Sequence, residues 1–397
     1  MKKTIPQEAI MSGLVMLFVF LFFSAFSFAS ELDEIKGAIE GKGAKWIAGE
    51  TSISRLPLEH RKLRVMLAKP EGTSGAEIVK TGLTSAPTGS FDWNVESYVT
   101  PVRDQGNCGS CWAFATTAAL ESYTLIKNNS PLSLGSDENL SEQVLISCGG
   151  AGSCSGGYID RASNFIKNTG LPVESCYPYT ATNGNCANAC LTWQNGDPTI
   201  GSWAYVATTL PTVDAIKNAL YTYGPLVTTM NVYTDFFYYT GGTYSHSWGT
   251  YQGGHAILIV GYDDTNKRFH VKNSWGTGWG GGGFFYIAYS ELNSVVQFGD
   301  YTIAYSQQVP CTYSISPTGQ TFTASAGSGT IRVTAGANCS WTAVSNKSWI
   351  AIVTPSNGNG GPGSGSVSYT VSKNQTGAKR TGTITVAGRT FTVTQNR

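Results

Sequence analysis

Cys111 stands in the run Gln105-Gly-Asn-Cys-Gly-Ser-Cys-Trp-Ala-Phe114, where Ala113, Phe114, Ala115, Ala118, Ala119 and Leu120 set out a helical apolar pattern from about Cys111 to Lys127. Gly109 and Ser110 form a flexible entry, so the cysteine falls in the first helical turn. The positive end of a helix dipole favours the thiolate, the nucleophilic form, and a neighbouring imidazolium would favour it further. Such a residue attacks electrophilic carbon, and it needs a base.

Four histidines are available for that role. His60 lies in the charged segment Glu59-His-Arg-Lys-Leu-Arg64, in a part of the chain expected to be removed. His270 alternates within Arg268-Phe-His-Val-Lys-Asn273 on the strand face opposite Asn273, and is expected on the sheet surface. His246 sits in the loop Tyr244-Ser-His-Ser-Trp248 with no apolar scaffold. His255 differs: Gly253 and Gly254 precede it, and Ala256-Ile-Leu-Ile-Val260 follows as a buried strand. After a turn at Asp263-Asp-Thr-Asn266 the next strand ends at Asn273, and a hairpin can bring its amide to the His255 ring. A cysteine, a histidine and an orienting amide are the three parts of a thiol nucleophile's site.

Cys108-Gly-Ser-Cys-Trp112, with a histidine and an asparagine far downstream, resembles the papain-like cysteine peptidases. The resemblance runs from about Pro87 to Tyr305. It includes Ser141-Glu-Gln-Val-Leu-Ile-Ser-Cys148, Cys154-Ser-Gly-Gly-Tyr158, Tyr177-Pro-Tyr179, Gly224-Pro-Leu226 and Asn273-Ser-Trp-Gly-Thr-Gly-Trp-Gly280. It implies an α+β, two-lobed fold in which a helical lobe carries Cys111 and a β-barrel-like lobe, from about Trp203, carries His255 and Asn273.

The same resemblance implies the roles. Cys111 attacks a peptide carbonyl to form an acyl-enzyme, His255 exchanges the proton and Asn273 orients the imidazole. The Gln105 side-chain amide and the Cys111 N–H form the oxyanion hole, and Trp275 covers the His255–Asn273 pair. Gly156, Gly157 and Gly254 line the substrate backbone's path, while Tyr158, Ile159 and Ala256 form an apolar pocket expected to prefer bulky apolar or aromatic side chains. The segment between Cys148 and Cys154 is too short for the histidine-bearing insertion of exopeptidase relatives, which favours internal cleavage.

Nine cysteines allow four disulfides and one free thiol, for which Cys111 is the natural remainder. The family pattern implies Cys108 with Cys154 and Cys148 with Cys186; Cys176 and Cys190, which bracket the latter, are expected to pair with each other, and Cys311 and Cys339 remain for the tail. This is one connectivity among many. Two rival readings use the same sulfurs: a redox pair Cys108/Cys111, or a zinc site of Cys148, Cys154, Cys186 and Cys190. In an exported chain disulfides are favoured over metal, and neither metal nor cofactor is expected.

Export is expected from the N-terminus, where Lys2 and Lys3 precede an apolar stretch, Leu14 to Phe28, that closes on Ser27-Phe-Ala29. Removal of residues 1–29 is the reading adopted, with an uncleaved anchor over Ile10 to Ala29 as the alternative. The product would be secreted, periplasmic or held at the cell surface. With 26 Lys plus Arg against 25 Asp plus Glu there is no basic surplus for nucleic acid.

Residues 30–87 read as a propeptide that inhibits its own enzyme. Glu31-Leu-Asp-Glu-Ile-Lys36 and Leu58 to Met66 are charged, amphipathic helical patterns, Lys45-Trp-Ile-Ala-Gly-Glu50 supplies an aromatic anchor, and Gly72 to Thr88 is a linker. A retained N-terminal helical cap is the bland alternative. The peptidase domain is placed at 88–308, and 309–397 as an all-β, Ig-like sandwich. Thr330–Thr334, Ser366–Val371, Gly382–Val386 and Thr390–Thr394 alternate at period two, with a Gly-rich loop from Ser356 to Ser366. Cys339-Ser-Trp341, Ser348-Trp-Ile350 and Arg380 to Gln395 resemble the BACON domains of bacterial exported enzymes. Trp341 and Trp349 are expected in its core rather than on a sugar-binding face, and a spacer or a module docking on a cell surface or glycan is the favoured role.

A secreted endopeptidase made as a zymogen and acting on protein or peptide substrates is therefore the leading expectation. A surface adhesion or carbohydrate-binding protein on a peptidase scaffold is the rival from another class, and transpeptidation or ligation by the same acyl-enzyme is a third.

Overall fold

The computed structural model describes residues 30–70, 79, 83–134, 138–195, 198–207, 210–307, 313–336 and 339–397. The expected signal at 1–29, most of the linker after Pro70 and Cys311 lie outside the described residues. The chain divides into two compact units, Met1–Ser306 and Gln307–Arg397.

The first unit opens with helix α1 (Glu31–Lys42), started by a Ser30/Asp33 capping box and ended by Gly43 at φ +61°. Strand β1 (Lys45–Ala48) and the short helix α2 (Leu58–Lys62) follow. After β2 (Ser90–Asp92) comes the helical lobe: α3 (Cys111–Lys127), α4 (Glu142–Cys148) and α5 (Ile159–Asn168). Every residue of α3 from Cys111 to Leu125 is buried, as an apolar, alanine-rich sequence permits, and the helix forms the spine of that lobe's core.

The β lobe consists of β3 (Ser202–Tyr205), helix α6 (Val213–Tyr223), β4 (Leu226–Tyr233), β5 (Tyr239–Tyr244), β6 (Tyr251–Asp263), β7 (Arg268–Lys272), β8 (Phe284–Ala288) and β9 (Asp300–Ser306). They form a nine-stranded sheet in the order β1-β5-β8-β7-β6-β4-β9-β3, with β2 also on β6. Ala256–Val260 of β6 is buried throughout, which is why that run is continuously apolar. The expected β6–β7 hairpin is present, with Asp263 opposite Arg268. The N-terminal strand β1 adds to the edge of this sheet, antiparallel to β5, and Ile35, Trp46, Ile53 and Val65 enter the β lobe's core.

Two of the rejected histidines differ from expectation. His270 is buried rather than on the sheet surface: β2 and β7 flank the end of β6, where Asp92 and His270 both pair with Gly261, and the Asp92 side chain lies over that glycine with Oδ2 2.5 Å from His270 Nδ1, while Tyr286 stacks 4.6 Å away. His246 does have a scaffold, since its Nδ1 lies 3.2 Å from Asp235 Oδ1 and its ring 4.1 Å from that of Tyr233. Both partners come from distant sequence.

The second unit is an all-β sandwich. Strands β10 (Tyr313–Ser316), β11 (Gly319–Phe322), β12 (Gly327–Ala335), β13 (Ser340–Ser345), β14 (Ile350–Thr354), β15 (Asn359–Pro362), β16 (Gly365–Val371), β17 (Arg380–Val386) and β18 (Arg389–Gln395) form sheets ordered β10-β12-β16-β14 and β11-β18-β17-β13-β15. The segment expected as a Gly-rich loop contains β15, paired with β13. Trp341 is buried among glycines and its Nε1 donates to the Gly363 carbonyl at 2.8 Å. Trp349 is only half-buried, with the Arg380 guanidinium 4.1 Å above its ring.

Candidate active site

Cys111 is the first residue of α3 and the free cysteine among the described residues. Cys108–Cys154, Cys148–Cys186 and Cys176–Cys190 are disulfides. Cys339 is also disulfide-bonded, and its expected partner Cys311 is outside the described residues. These bonds consume the thiols that a Cys108/Cys111 redox pair or a zinc site would need.

His255, in β6, places Nε2 2.8 Å from Asn273 Oδ1. The Ser274 N–H also donates to that oxygen at 2.8 Å, which fixes the amide's orientation. Nε2 therefore carries the proton, and the bare nitrogen of the neutral ring is Nδ1, which is buried without a hydrogen-bond partner. Trp275 is fully buried with its ring centroid 4.8 Å from the imidazole, so the pair is shielded from water. The N–H of Ala256, the residue after His255, points at the Cys111 sulfur.

Gln105 is locked from both ends. Ser274 Oγ donates to its Oε1 at 2.8 Å, while its Nε2 donates to the Cys108 carbonyl at 2.9 Å and to the Arg64 carbonyl at 3.3 Å. Sequence reasoning misses Ser274, although the residue lies inside the Asn273-Ser-Trp275 motif.

Arg64 belongs to the N-terminal segment, which crosses the site. Its guanidinium is buried on Asp104 at 2.6 Å, and its backbone lies against His255. The chain then passes along the glycines. Leu67 N–H donates to the Gly254 carbonyl and Ala68 N–H to the Gly157 carbonyl, both at 3.1 Å. Gly156, at φ +116°, must be glycine because a Cβ there would lie 2.2 Å from the Met66 carbonyl oxygen. Gly157 differs: its absent Cβ faces the Trp112 indole at 2.4 Å, so its small size serves the lobe's packing rather than the passing chain. Tyr158 is half-buried with Arg161 over its ring at 4.2 Å, and Ile159 and Ala256 are buried in the helical lobe's core.

Burial sets the electrostatics, and here the expected thiolate is not found. Under Arg64–Ala68 desolvation pushes the Cys111 thiol up to about 12, against the opposing N–H groups of Ala256, Trp112 and Cys111 itself. Desolvation likewise takes His255 down to about 4 despite the Asn273 hydrogen bond. In this covered form both groups are neutral at pH 7. The helix dipole does not offset the loss of water.

A second group of ionisable residues lies behind Asn273, around a small cavity of about 20 Å³ lined by Arg103, Glu121, Glu142 and Lys272 among others. Lys272 Nζ donates to Thr100 Oγ1 at 2.9 Å, and Thr100 in turn bonds Glu121. Burial lowers Lys272 to about 8 and raises both glutamates. These residues are too far apart in sequence to suggest a cluster.

Residues 87–304 match the papain family cysteine protease, and residues 312–396 match the viral BACON domain. The chain is 34% identical over 271 residues to cathepsin B-like CP3 of Giardia intestinalis, covering 62% of this chain and 83% of that protein. It is 36% identical to digestive cysteine proteinase 1 of Homarus americanus, spanning 46% of this chain but only 56% of that relative's length. Among solved structures, digestive procathepsin L2 proteinase from Tenebrio molitor larval midgut superposes with a TM-score of 0.60 at 29% identity, over 69% of this chain and 88% of that one. The recombinant stem bromelain precursor superposes at 0.57 and 26%, over 70% and 88%. With its thiol, imidazole and carboxamide brought to one cleft under its own N-terminal segment, and with more than half its length matched, the chain belongs to the papain family of cysteine proteases.

Proposed function

We propose that this chain is the zymogen of a secreted cysteine endopeptidase, acting on protein or peptide substrates through Cys111, His255 and Asn273. Once the covering segment leaves, His255 Nδ1 takes the thiol proton and the sulfur attacks the scissile carbonyl carbon. The carbonyl oxygen becomes an oxyanion held by Gln105 Nε2 and the Cys111 N–H. His255 returns the proton to the leaving amine as the C–N bond breaks, leaving a thioester on Cys111. Water, deprotonated by the same nitrogen, hydrolyses the thioester to a carboxylate and restores the thiol.

The observation that carries this reading is the fixed tautomer of His255. Asn273 Oδ1, committed as an acceptor by Ser274, leaves Nδ1 as the base next to the N-terminus of α3. The Gln105 amide already holds a backbone carbonyl, that of Arg64, in the covered form. Disulfides support an oxidising destination, reached through removal of residues 1–29, and residues 30–87 act as the inhibitor. The 309–397 unit is read as a spacer or surface-docking module.

The test is Cys111→Ala in the full chain, which should abolish both self-processing and peptide hydrolysis. Wild-type turnover by that variant would sink the reading. Mass spectrometry after treatment with a thiol-directed epoxide should find Cys111 labelled slowly in the full chain and much faster once residues 30–87 have been removed.

A further inference from the structure

Beyond the glycines, the N-terminal segment leaves the cleft through Lys69, whose ammonium meets two oxygen acceptors. Lys69 Nζ lies 3.2 Å from Gln297 Oε1 and 3.8 Å from Asp300 Oδ2. Each acceptor is held by its own surroundings. Asn231 Nδ2, oriented by a bond to the Val295 carbonyl at 2.9 Å, donates to Gln297 Oε1 at 3.0 Å, so the amide oxygen and not its nitrogen faces the lysine. The Tyr301 N–H takes Asp300 Oδ1 at 3.1 Å, which leaves Oδ2 for a cation. Asp300 pairs with Thr229, and Thr229 with Ala256, so the carboxylate sits two strands from the residue that follows His255. It is half-buried, where a charge pair is screened less than on an open surface.

We propose that Asp300 and Gln297 form a cation-accepting subsite of the cleft, filled by Lys69 in the zymogen and by a lysine or arginine side chain of the substrate in the mature enzyme. The inference rests on the peptidase reading and deepens it by naming a substrate class. A carboxylate oxygen and an amide oxygen, the latter held with its own nitrogen turned away, suit an ammonium or guanidinium and repel a carboxylate.

The experiment compares kcat/KM for peptides carrying lysine, norleucine or glutamate at each of the positions on the amino side of the scissile bond. At one position the mature enzyme should favour lysine over norleucine by roughly fivefold, the scale of a partly exposed charge pair. That ratio should fall to about one in Asp300→Asn and rise in Gln297→Glu. A wild-type ratio of one at every position, or a fivefold ratio that survives in Asp300→Asn, overturns the subsite. Equal cleavage of the norleucine peptides by Cys111→Ala would instead overturn the peptidase reading. A readout without turnover uses the zymogen: Lys69→Met should speed epoxide labelling of Cys111 by roughly fivefold, and an unchanged rate counts against the subsite.

Discussion

The two lobes hold their halves of the site by different means. The helical lobe has a loop-rich stretch between Cys148 and Cys190; two disulfides tie it to the approach to α3 and the end of α4, and a third closes a loop within it. In the β lobe no disulfide occurs among the described residues. Phe236, Tyr239, Tyr244, Trp275, Trp279 and Phe285 pack there as one aromatic cluster, and Trp46 of the N-terminal segment inserts into it 5.3 Å from Tyr244. Covalent links substitute for packing where the chain lacks regular structure. The histidine's half thus shares its core with the N-terminal segment, whereas the cysteine's half is closed by covalent bonds within itself.

The sharpest way to break this contrast is Trp46→Ala. Truncating a buried indole should loosen the covering segment by about 3–5 kcal/mol, because it also removes the bond from Trp46 Nε1 to Ser247 Oγ. Epoxide labelling of Cys111 in the zymogen should then approach the processed enzyme's rate. If labelling stays slow, the aromatic anchor is not what holds the cover.

Gln105→Ala tests the seam between the lobes, where Ser274 of one holds the amide of the other. Loss of one oxyanion donor should lower kcat by roughly a hundred- to a thousandfold. A change confined to KM would contradict the assigned role.

Replacing Cys176 and Cys190 by serine opens a short loop in the helical lobe and should cost about 3 kcal/mol in unfolding free energy. Labelling of Cys111 in the zymogen should not change, and a rise would show that the lobes are less independent than their cores suggest.

Acid should weaken the cover in a defined window. Covered His255 titrates at about 4, against 6.5 when exposed to water. Above 6.5 its contribution to covering is complete; it is lost as the pH falls from 6.5 through about 4, because the open form binds the proton first. A synthetic peptide of residues 30–70 should therefore bind mature Cys111→Ala enzyme roughly twentyfold more weakly at pH 5 than at pH 7, measured by calorimetry. Tighter binding at pH 5 would reverse the assignment.

The smallest effect is expected in the second unit. Trp349→Ala should cost only about 1 kcal/mol, the worth of a half-exposed cation–π contact, while Trp341→Ala should cost about 3–5 kcal/mol as a core truncation. Thermal unfolding of the full chain separates the two.

Much of the site is legible in the chain's local patterns. The helix starting at Cys111, the strand after His255 and the turn before Asn273 each follow from neighbouring residues, and the hairpin that joins the last two needs few residues to close. Three of the disulfides follow from the family pattern and the cysteines it leaves over. His270 and His246 escape such reasoning because their surroundings come from Asp92, Asp235 and Tyr233, which no short window around a histidine contains. The Glu121, Glu142 and Lys272 cluster is hidden for the same reason.

What the sequence alone determined was which groups are of a type to do the proposed chemistry and which local elements present them, since helix starts, hairpins and glycine turns depend on residues close together in the chain. The tertiary structure alone decided their protonation. A thiol at a helix N-terminus is expected to ionise, yet Arg64 and the residues after it, brought from far along the chain, strip water from Cys111 and His255 and keep both neutral. Solvation depends on everything that surrounds a group, and that is known only once the chain has folded over it.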